Sequence, residues 1–573
     1  MSVRVVESAV VSAAEALGIE LRPQMAERIA SGAQSAVAAV AQASQQWGAR
    51  ATGEPGEYLA LLESLAPETP KVPQDSQARE TSGVTRSGAM SPAGDSIQRI
   101  AEVLDLSLCE AHRALAHLDA GIDRLTEVAL ERAQAMQAQT HAWLSIEPDA
   151  ARARTTWLQT LAKESPDVAR RMPLFAIPLA HKDMFNLPVE TGYRSPSCGS
   201  HVPSRLQSSG VATVIQRLEL AGAVTLGTLN MAEFALGATG HNGARGDCAN
   251  AWHPDYISGG SSSGSAVAVA RGAVFASLGS DTGGSVRIPA SVNGVLGLKP
   301  TYGLIPRTGS MRLSPSIDVI GPMARSARDL ARLLSIVAGA DGVDPHCSAR
   351  SVPDFEQALQ QPIEGLRIGL PDRYFFEDVD LPVRTALDQV RARLETAGAE
   401  FVPVEMPDIS SLAELSRAVV YAEATGLHAA MLRESAGAYS PQVRLRASTG
   451  LGIPAPVYGV ALGLRLTILQ EFVGRVFAHC DALFTPTIPL LVPRRDATDV
   501  GAGESLWPIL ARLVRCTAPI NFLGLPAISI PAGRDPHGLP IGAQFIGRPF
   551  DESLLLRLAA ALPTDVPIAR PLA

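Results

Sequence analysis

Cysteine is scarce in this sequence. The chain has 573 residues but only six cysteines, and no two of them form a Cys-x-x-Cys pair. A long chain with so few cysteines is not organised by disulfides, and no His/Cys cluster has the spacing of a metal site. We therefore predict reduced, individually buried thiols, and no metal or other cofactor.

Positive charge is not in excess either. The net charge of −8 disfavours nucleic acid as the main partner. The first twenty residues, MSVRVVESAVVSAAEALGIE, carry Glu7 and Glu15 and have no basic region, unlike a signal peptide. No run of about 18 apolar residues indicates a membrane-spanning helix. We predict a cytoplasmic protein that acts on a small molecule, with no nucleic-acid or membrane partner.

Apolar residues, in contrast, are plentiful. They make up 46% of the chain against 18% charged residues, which is enough to bury a large core. Residues 1–66 are rich in alanine with helix-like spacing, and residues 67–95 are rich in proline, serine, threonine and glycine. We predict a helical N-terminal domain, a flexible linker, and a main domain over residues 96–573. The N-terminal domain would serve in docking or homodimer formation, or would extend the packing of the main domain.

Strand-like and helix-like segments alternate through the main domain. LFAIPLAHKD (174–183), AVTLGTL (223–229) and AVFASLGS (273–280) have the composition of strands. GVATVIQRLELAG (210–222) and SSGSAVAVARG (262–272) have that of helices, each closed by a glycine. Such alternation is typical of an α/β protein with a mixed or parallel sheet between helices.

Two stretches combine serine with glycine. ISGGSSSGSA (257–266) leads directly into an apolar helical segment, so its hydroxyls are placed to cap a helix rather than to form a linker. GSDTGGSVRIPA (279–290) has the pattern of strand, turn and helix, with Ser285 at the helix start. Gly283 and Gly284 would let backbone N–H groups approach a ligand closely. The pattern favours an oxyanion site beside a hydroxyl, although a glycine turn used only for its geometry would look the same.

A serine nucleophile needs a base, and no histidine lies close to either glycine turn on its C-terminal side. Lys182 is the alternative, because it ends an apolar strand, and α/β sheets build their sites at the carboxyl ends of strands. Burial there would lower its pKa from about 10.4 toward neutrality, so that the amine could accept a proton. A lone lysine is usually a solvated surface charge, and it is the strand–loop position that favours a catalytic role.

These stretches resemble the amidase signature family of Ser–Ser–Lys hydrolases. The resemblance rests on IPLAHKD (177–183), GGSSSGSA (259–266) and GSDTGGSVRIPASVNGVLGLKPTYG (279–303), and it extends over most of the chain after the linker. It implies an α/β fold with a large mixed β-sheet covered by helices on both faces, extended by the small N-terminal helical unit. It also implies an amidohydrolase that acts on linear amides through an acyl-enzyme.

The resemblance implies a role for each matching residue. In catalysis, the nucleophile, the proton-relaying serine and the base would be Ser285, Ser261 and Lys182. The relay serine would follow a cis Gly260–Ser261 peptide bond. The oxyanion hole would consist of the backbone N–H groups of Thr282, Gly283, Gly284 and Ser285. The residues that support this site would be Ser262, Asp281 and Arg287.

Two other classes of protein fit part of the pattern. GSSSG (260–264) has the form of an α/β-hydrolase nucleophile elbow, which would make the chain an esterase with Ser262 as nucleophile. That fold needs a strand before the turn, whereas ANAWHPDYIS (249–258) is a poor strand, and it needs a later histidine from among His346, His428, His479 and His537. A phosphate-binding module is the other class, but the chain has no Gly-x-x-x-x-Gly-Lys-[Ser/Thr] loop.

Within the family, the main alternative is the glutaminase (A) subunit of a tRNA-dependent amidotransferase. VVYAEATGLHAAML (419–432) lacks the arginine expected for the α-carboxylate of glutamine, and the tethered N-terminal unit is not typical of that subunit. Further along, the chain offers Arg444, Arg446 and Arg465. We favour a stand-alone amidase for a less polar amide. Its pocket wall would include ASTGLGIPAPVYGVALGLRL (447–466), with Tyr458 as a possible substrate contact, unless this stretch is an ordinary loop-to-helix connection.

Overall fold

A computed structural model describes residues 4–21, 23–48, 57–67, 102–115, 121–165, 167–205, 210–499, 506–562 and 566–570. All of the predicted linker except Pro67 lies outside these ranges.

The described residues include the helices α1 Glu7–Ala16, α2 Pro23–Trp47, α3 Tyr58–Ser64, α4 Leu108–Leu115, α5 Ile122–Thr140, α6 Pro148–Glu164, α7 Val168–Arg171, α8 Thr213–Leu220, α9 Ser263–Ala270, α10 Arg287–Asn293, α11 Ala327–Val337, α12 Phe355–Ala358, α13 Leu381–Thr396, α14 Leu412–Ser435, α15 Pro441–Ser448, α16 Ala455–Val476, α17 Leu506–Arg515, α18 Ala518–Phe522 and α19 Glu552–Ala560. They include the strands β1 Trp143–Ile146, β2 Pro178–Lys182, β3 Val224–Leu229, β4 Ala276–Asp281, β5 Leu296–Lys299, β6 Val319–Ala324, β7 Arg367–Pro371, β8 Glu400–Val404, β9 Ala482–Pro486, β10 Ala527–Arg534 and β11 Pro540–Gly547.

Two sheets form the centre of the molecule. The larger has eight strands in the order β4-β6-β5-β10-β11-β9-β7-β8, and the smaller has three in the order β1-β3-β2. The larger sheet is mixed, because β7 is parallel to both β8 and β9 while β10 is antiparallel to β5 and β11. The predicted large mixed sheet is therefore confirmed.

Helices cover both faces of the larger sheet. On β11, the side chain of Gln544 accepts a hydrogen bond from Arg287 of α10 at 2.8 Å. Its neighbour Phe545 packs against Phe484, with ring centroids 5.3 Å apart. The ring of Phe401 lies 5.6 Å from that of Phe484, and the guanidinium of Arg391, on α13, lies over Phe401. Since successive side chains of a strand point to opposite faces, α10 and α13 lie on opposite sides of the sheet. The predicted fold class is confirmed.

The smaller sheet adjoins edge strand β4 of the larger one. The N–H of Leu278 on β4 donates to Nδ1 of His181 on β2 at 3.1 Å, and the N–H of Phe275 donates to the carbonyl of Pro178 at 3.3 Å. These contacts run in the same direction along both strands. They bring the carboxyl ends of β2 and β4 together, which is where an α/β protein places polar chemistry.

The N-terminal helices pack on the main body of the chain. Buried residues of α2 recur at intervals of three and four, as an amphipathic helix requires. They include Ala26, Ile29, Ala33, Ala36, Val40, Ala43 and Trp47. α2 contacts both α14 and α16. A Cβ added at Gly452 would lie 2.7 Å from the Cβ of Ala33, so a glycine there permits the close approach. The division into separate domains stays a prediction.

The cysteine side chains are free thiols, and most of them are buried. Five of the six cysteines are buried free thiols, and the sixth, Cys347, is a half-buried free thiol. Within the described ranges, no group of three or more His, Cys, Asp or Glu side chains could hold a metal ion.

By length and composition, α16 is long and apolar enough to cross a membrane, with a mean hydropathy of 1.2. Half of that stretch is buried inside the protein, as in a core helix.

Candidate active site

Lys182 lies at the carboxyl end of β2, in a closed environment. Its Nζ donates to Ser261 Oγ at 2.7 Å and to Ser280 Oγ at 2.8 Å. The residue is 1% exposed. This burial lowers the pKa of Lys182 to about 7, although the carboxylates of Asp318 and Asp281 act in the opposite direction. A large share of the lysine is therefore neutral at physiological pH.

The two serines of the predicted relay are neighbours. The Gly260–Ser261 peptide bond is cis. The N–H of Ser262 donates to the carbonyl of Ser285 at 3.2 Å, so Ser285 lies beside the cis turn, and it is 8% exposed. Within the described residues, Ser261 Oγ bonds to Lys182 but forms no hydrogen bond to Ser285 Oγ. The structure therefore contains the first contact of the relay and brings its third residue next to the second.

The turn from residue 282 to 285 is open on one side. A Cβ added at Gly283 would meet nothing within 4 Å, so this glycine faces open space. Gly284 has a φ of +124°, and a Cβ there would lie 2.4 Å from Thr517 Oγ1. The N–H of Gly284 donates to Asp281 Oδ1 at 2.8 Å. Gly284 is one of the four predicted oxyanion donors, and its N–H is thus already bonded to a carboxylate behind the turn.

Asp281 and Arg287 form a buried ion pair that holds this turn. Both are 0% exposed, and Arg287 donates through Nη2 to Asp281 Oδ1 at 2.9 Å and through Nε to Oδ2 at 3.1 Å. Asp281 Oδ2 also accepts the N–H of Val286 at 3.1 Å. Burial by itself would raise the pKa of Asp281, but the guanidinium of Arg287 holds it well below its usual range. The carboxylate therefore stays ionised and fixes the start of α10.

Replacing Asp281 with asparagine is expected to destabilise the fold strongly. The change leaves the Arg287 guanidinium buried without a counter-charge, which typically costs about 3–5 kcal/mol. Urea unfolding monitored by circular dichroism measures the loss. The matched control is Glu395→Gln, which breaks the half-exposed Arg391–Glu395 pair and should cost below about 0.5 kcal/mol. Equal losses in the two variants would contradict this prediction.

Three residues that support the glycine turn were not predicted from the sequence. Thr517 Oγ1 donates to the carbonyl of Gly283 at 2.7 Å, and Asn521 Nδ2 donates to the carbonyl of Asp281 at 3.0 Å. Asp318 accepts the hydroxyl of Thr282 at 2.7 Å. The spacing of Thr517 and Asn521, one helical turn apart in an apolar segment, is the only local signal that could have pointed to them.

Ser262 does not lie at a nucleophile elbow. It is 0% exposed, and its Oγ donates to the carbonyl of Ser280 and accepts the N–H of Ser280, both at 3.3 Å. In the described chain before it, residues 249–258 form only isolated bridges and no strand. Ser262 therefore ties the cis turn to β4, and the α/β-hydrolase alternative lacks both its strand and an accessible serine.

The candidate substrate residues are engaged in hydrogen bonds. The hydroxyl of Tyr458 donates to Glu423 Oε1 at 2.9 Å, and Glu423 also accepts the N–H of Ser316 at 3.2 Å. Arg465 is 3% exposed and donates to backbone carbonyls. Arg446 likewise donates to the carbonyl of Leu236. Two of the three arginines considered for a glutamine carboxylate are therefore already committed within the protein.

The Amidase family matches residues 124–556 of this chain. The chain belongs to that family, whose hydrolases act on amide C–N bonds, and the resemblance seen in its motifs is confirmed.

Individual relatives and solved structures agree with this family assignment. The chain is 37% identical over 479 residues to the (A) subunit of glutamyl-tRNA(Gln) amidotransferase from Synechococcus sp. (strain WH7803), covering 79% of this chain and 96% of the relative. A structure described as a vestigial protein complex that reveals the origins of an s-triazine catabolic enzyme has a TM-score of 0.73 and 32% identity, covering 81% of this chain and 99% of that one. An amidase crystal structure has a TM-score of 0.69 and 32% identity, covering 80% and 99%.

Proposed function

We propose that this protein is an amidase that cleaves a carboxylic amide through an acyl-enzyme on Ser285, with Ser261 as proton relay and Lys182 as base. The observation that carries the proposal is the 2.7 Å hydrogen bond between Lys182 Nζ and Ser261 Oγ, at a buried lysine beside the open glycine turn. A neutral amine at this position can take a proton from the hydroxyl of Ser261, which it contacts.

The proposed reaction begins when neutral Lys182 accepts a proton from Ser261 while Ser261 accepts the proton of Ser285. Ser285 Oγ then attacks the amide carbon, which forms a tetrahedral oxyanion. The relayed proton passes to the leaving nitrogen, and ammonia or an amine departs. Water then gives a proton to Ser261 while Ser261 passes one to Lys182, and its oxygen attacks the ester carbon of Ser285. When the ester C–O bond breaks, the proton returns through Ser261 to Ser285 Oγ, which releases the carboxylic acid and restores the enzyme.

The oxyanion would be held by the N–H groups of Thr282, Gly283 and Ser285. Gly284 is left out of this set, because its N–H donates to Asp281. Such donors are worth about 3–4 kcal/mol each in comparable sites. The ion pair of Asp281 and Arg287 and the hydrogen bonds of Ser262 would keep the three donors and the relay in place.

A stand-alone amidase that acts on a less polar amide is our first candidate. The second is a glutaminase subunit of a tRNA-dependent amidotransferase, which the 37% identity to the Synechococcus protein favours. The first candidate is supported by the burial of Arg465 and by the hydrogen bonds that Arg465 and Arg446 donate to backbone carbonyls, which engage these cations within the protein. We also propose a cytoplasmic location, no cofactor, and homodimer formation, the last of which light scattering would measure.

A substrate panel separates the two candidates. The purified chain is incubated with primary, alkyl and aryl carboxamides, with esters and with glutamine, and ammonia or amine release is followed by mass spectrometry. Ser285→Ala is the blank. We expect turnover of an apolar amide and negligible turnover of glutamine by the isolated chain. Glutamine as the best substrate would favour the amidotransferase candidate, and no turnover of any amide above the blank would contradict the proposed function.

A further inference from the structure

Tyr58, in the N-terminal helical unit, lies on a buried arginine of the main body. It begins α3, is 5% exposed, and precedes the part of the chain that the Amidase family matches. The Cζ atom of Arg465, on α16, lies 3.5 Å from the centroid of the Tyr58 ring. A Cβ added at Gly524 would lie 2.3 Å from the Tyr58 hydroxyl, so the ring is seated against the residues that follow α18. A guanidinium stacked in this way on an aromatic face is fixed in its plane.

Arg465 connects two separate chain segments. Its Nη1 donates to the carbonyl of Ser316 at 2.6 Å, and its Nε donates to the carbonyl of Phe522 at the end of α18. Because a guanidinium is planar and its donors point in fixed directions, the two carbonyls are held at a set separation.

Each of these two segments supports one side of the glycine turn. In the first, Asp318 accepts the N–H of Ser314 at 2.8 Å and the hydroxyl of Thr282 at 2.7 Å. In the second, α18 carries Asn521, which donates to Asp281, and directly follows Thr517, which donates to the carbonyl of Gly283. Arg465 therefore stands behind both supports of the proposed oxyanion hole.

We propose that the N-terminal unit supports the catalytic site through one residue, Tyr58, which holds Arg465 flat so that Arg465 clamps the two supports of the 282–285 turn. Tyr58 and Arg465 are positioning residues, since neither touches the reacting atoms. This inference rests on the proposed function, because the turn matters only if it binds an oxyanion. It gives the N-terminal helices a role within their own chain.

The test compares three variants of the full chain. Tyr58→Phe keeps the aromatic face, Tyr58→Leu fills much of the space without one, and Val40→Ala makes a cavity on α2 in the same helical unit. Each is assayed for kcat and KM on the best amide from the panel and for Tm. A displacement of about 1 Å at a reacting group costs up to about 100-fold, so we expect Tyr58→Leu to lower kcat between about 10-fold and 100-fold. KM should change less than kcat, and Tyr58→Phe should restore kcat to within about threefold.

Val40→Ala shows what loss of stability alone does. It should lower Tm while kcat of the folded enzyme stays close to that of the wild type. The proposal would be overturned if Tyr58→Leu lowered Tm but left kcat unchanged, or if Tyr58→Phe were as impaired as Tyr58→Leu. Should Tyr58→Leu fail to fold, Arg465→Lys, which keeps the charge but not the planar fork, takes its place with the same expected loss of kcat. If Ser285→Ala were active, the proposed function would be refuted instead. The contact of Tyr58 with Arg465 would then be tested by Tm alone, and equal Tm values for Tyr58→Leu and Tyr58→Phe would overturn the proposed clamp.

Discussion

Replacing Ser285 with alanine should abolish amide hydrolysis in a protein that still folds. Without the hydroxyl no acyl-enzyme forms, and loss of a serine nucleophile typically lowers kcat by roughly 10,000-fold or more. The side chain is small, lies beside an open turn, and makes no hydrogen bond within the described residues, so its removal should change Tm little. Turnover measured by mass spectrometry over several hours sets the limit of the residual rate.

The matched variant for this result is Ser262→Ala. Ser262 is fully buried and hydrogen-bonded to Ser280, so its loss should lower stability and reduce activity only in part. Labelling with a fluorophosphonate, followed by peptide mapping, identifies the reactive serine directly. We expect the adduct on Ser285 in the wild type and in Ser262→Ala, and none in Ser285→Ala. An adduct on Ser262, or full activity of Ser285→Ala, would remove the basis of the mechanism.

Activity should rise with pH through neutrality, with Lys182 as the group that titrates. Burial lowers the pKa of Lys182 to about 7, and only the neutral amine can accept the proton of Ser261. Therefore kcat/KM should be low below this pKa and reach a plateau above it. Lys182→Met should lose the ascending limb and about 100-fold to 10,000-fold in rate, since that is the usual contribution of a general base.

Lys299 provides the control for this pH profile. It too is 0% exposed, and burial lowers its pKa to about 7, but its Nζ donates to the carbonyl of Pro300 rather than to a serine. Lys299→Met should lower stability yet keep the ascending limb. If Lys299→Met lost the limb and Lys182→Met kept it, the assignment of the base would be wrong.

The same lysine gives a stability signal with a defined sign. Between pH 7 and 10.5 the unfolded chain binds a proton on Lys182 that the folded protein does not bind, so Lys182 contributes a rise in the free energy of unfolding with pH over this window. Lys182→Met removes this contribution and should flatten the rise, with the part due to Lys299 remaining. Urea titrations at pH 7, 8 and 9 measure the slope.

Local sequence patterns predicted much of the fold and of the candidate site in this protein. The apolar run that ends at Lys182 and the glycine turn that ends at Ser285 are each defined within about ten residues, because a strand end and a helix start depend mainly on neighbours in the chain. The helices of the first 66 residues also followed from their spacing. The alternation of strand-like and helix-like segments predicted the α/β class with a mixed or parallel sheet. The motifs around Lys182, Ser261 and Ser285 carried the resemblance to the family, and that resemblance implied the large mixed sheet.

The tertiary structure decided what surrounds these segments. Only the folded chain brings Lys182 of β2 to Ser261, and only the folded turn directs the N–H of Gly284 toward Asp281 instead of the open side. Thr517, and the stacking of Tyr58 on Arg465, join parts of the chain far apart in sequence. The physical reason is that a buried donor or acceptor must find a partner wherever packing supplies one, and no local pattern encodes that choice.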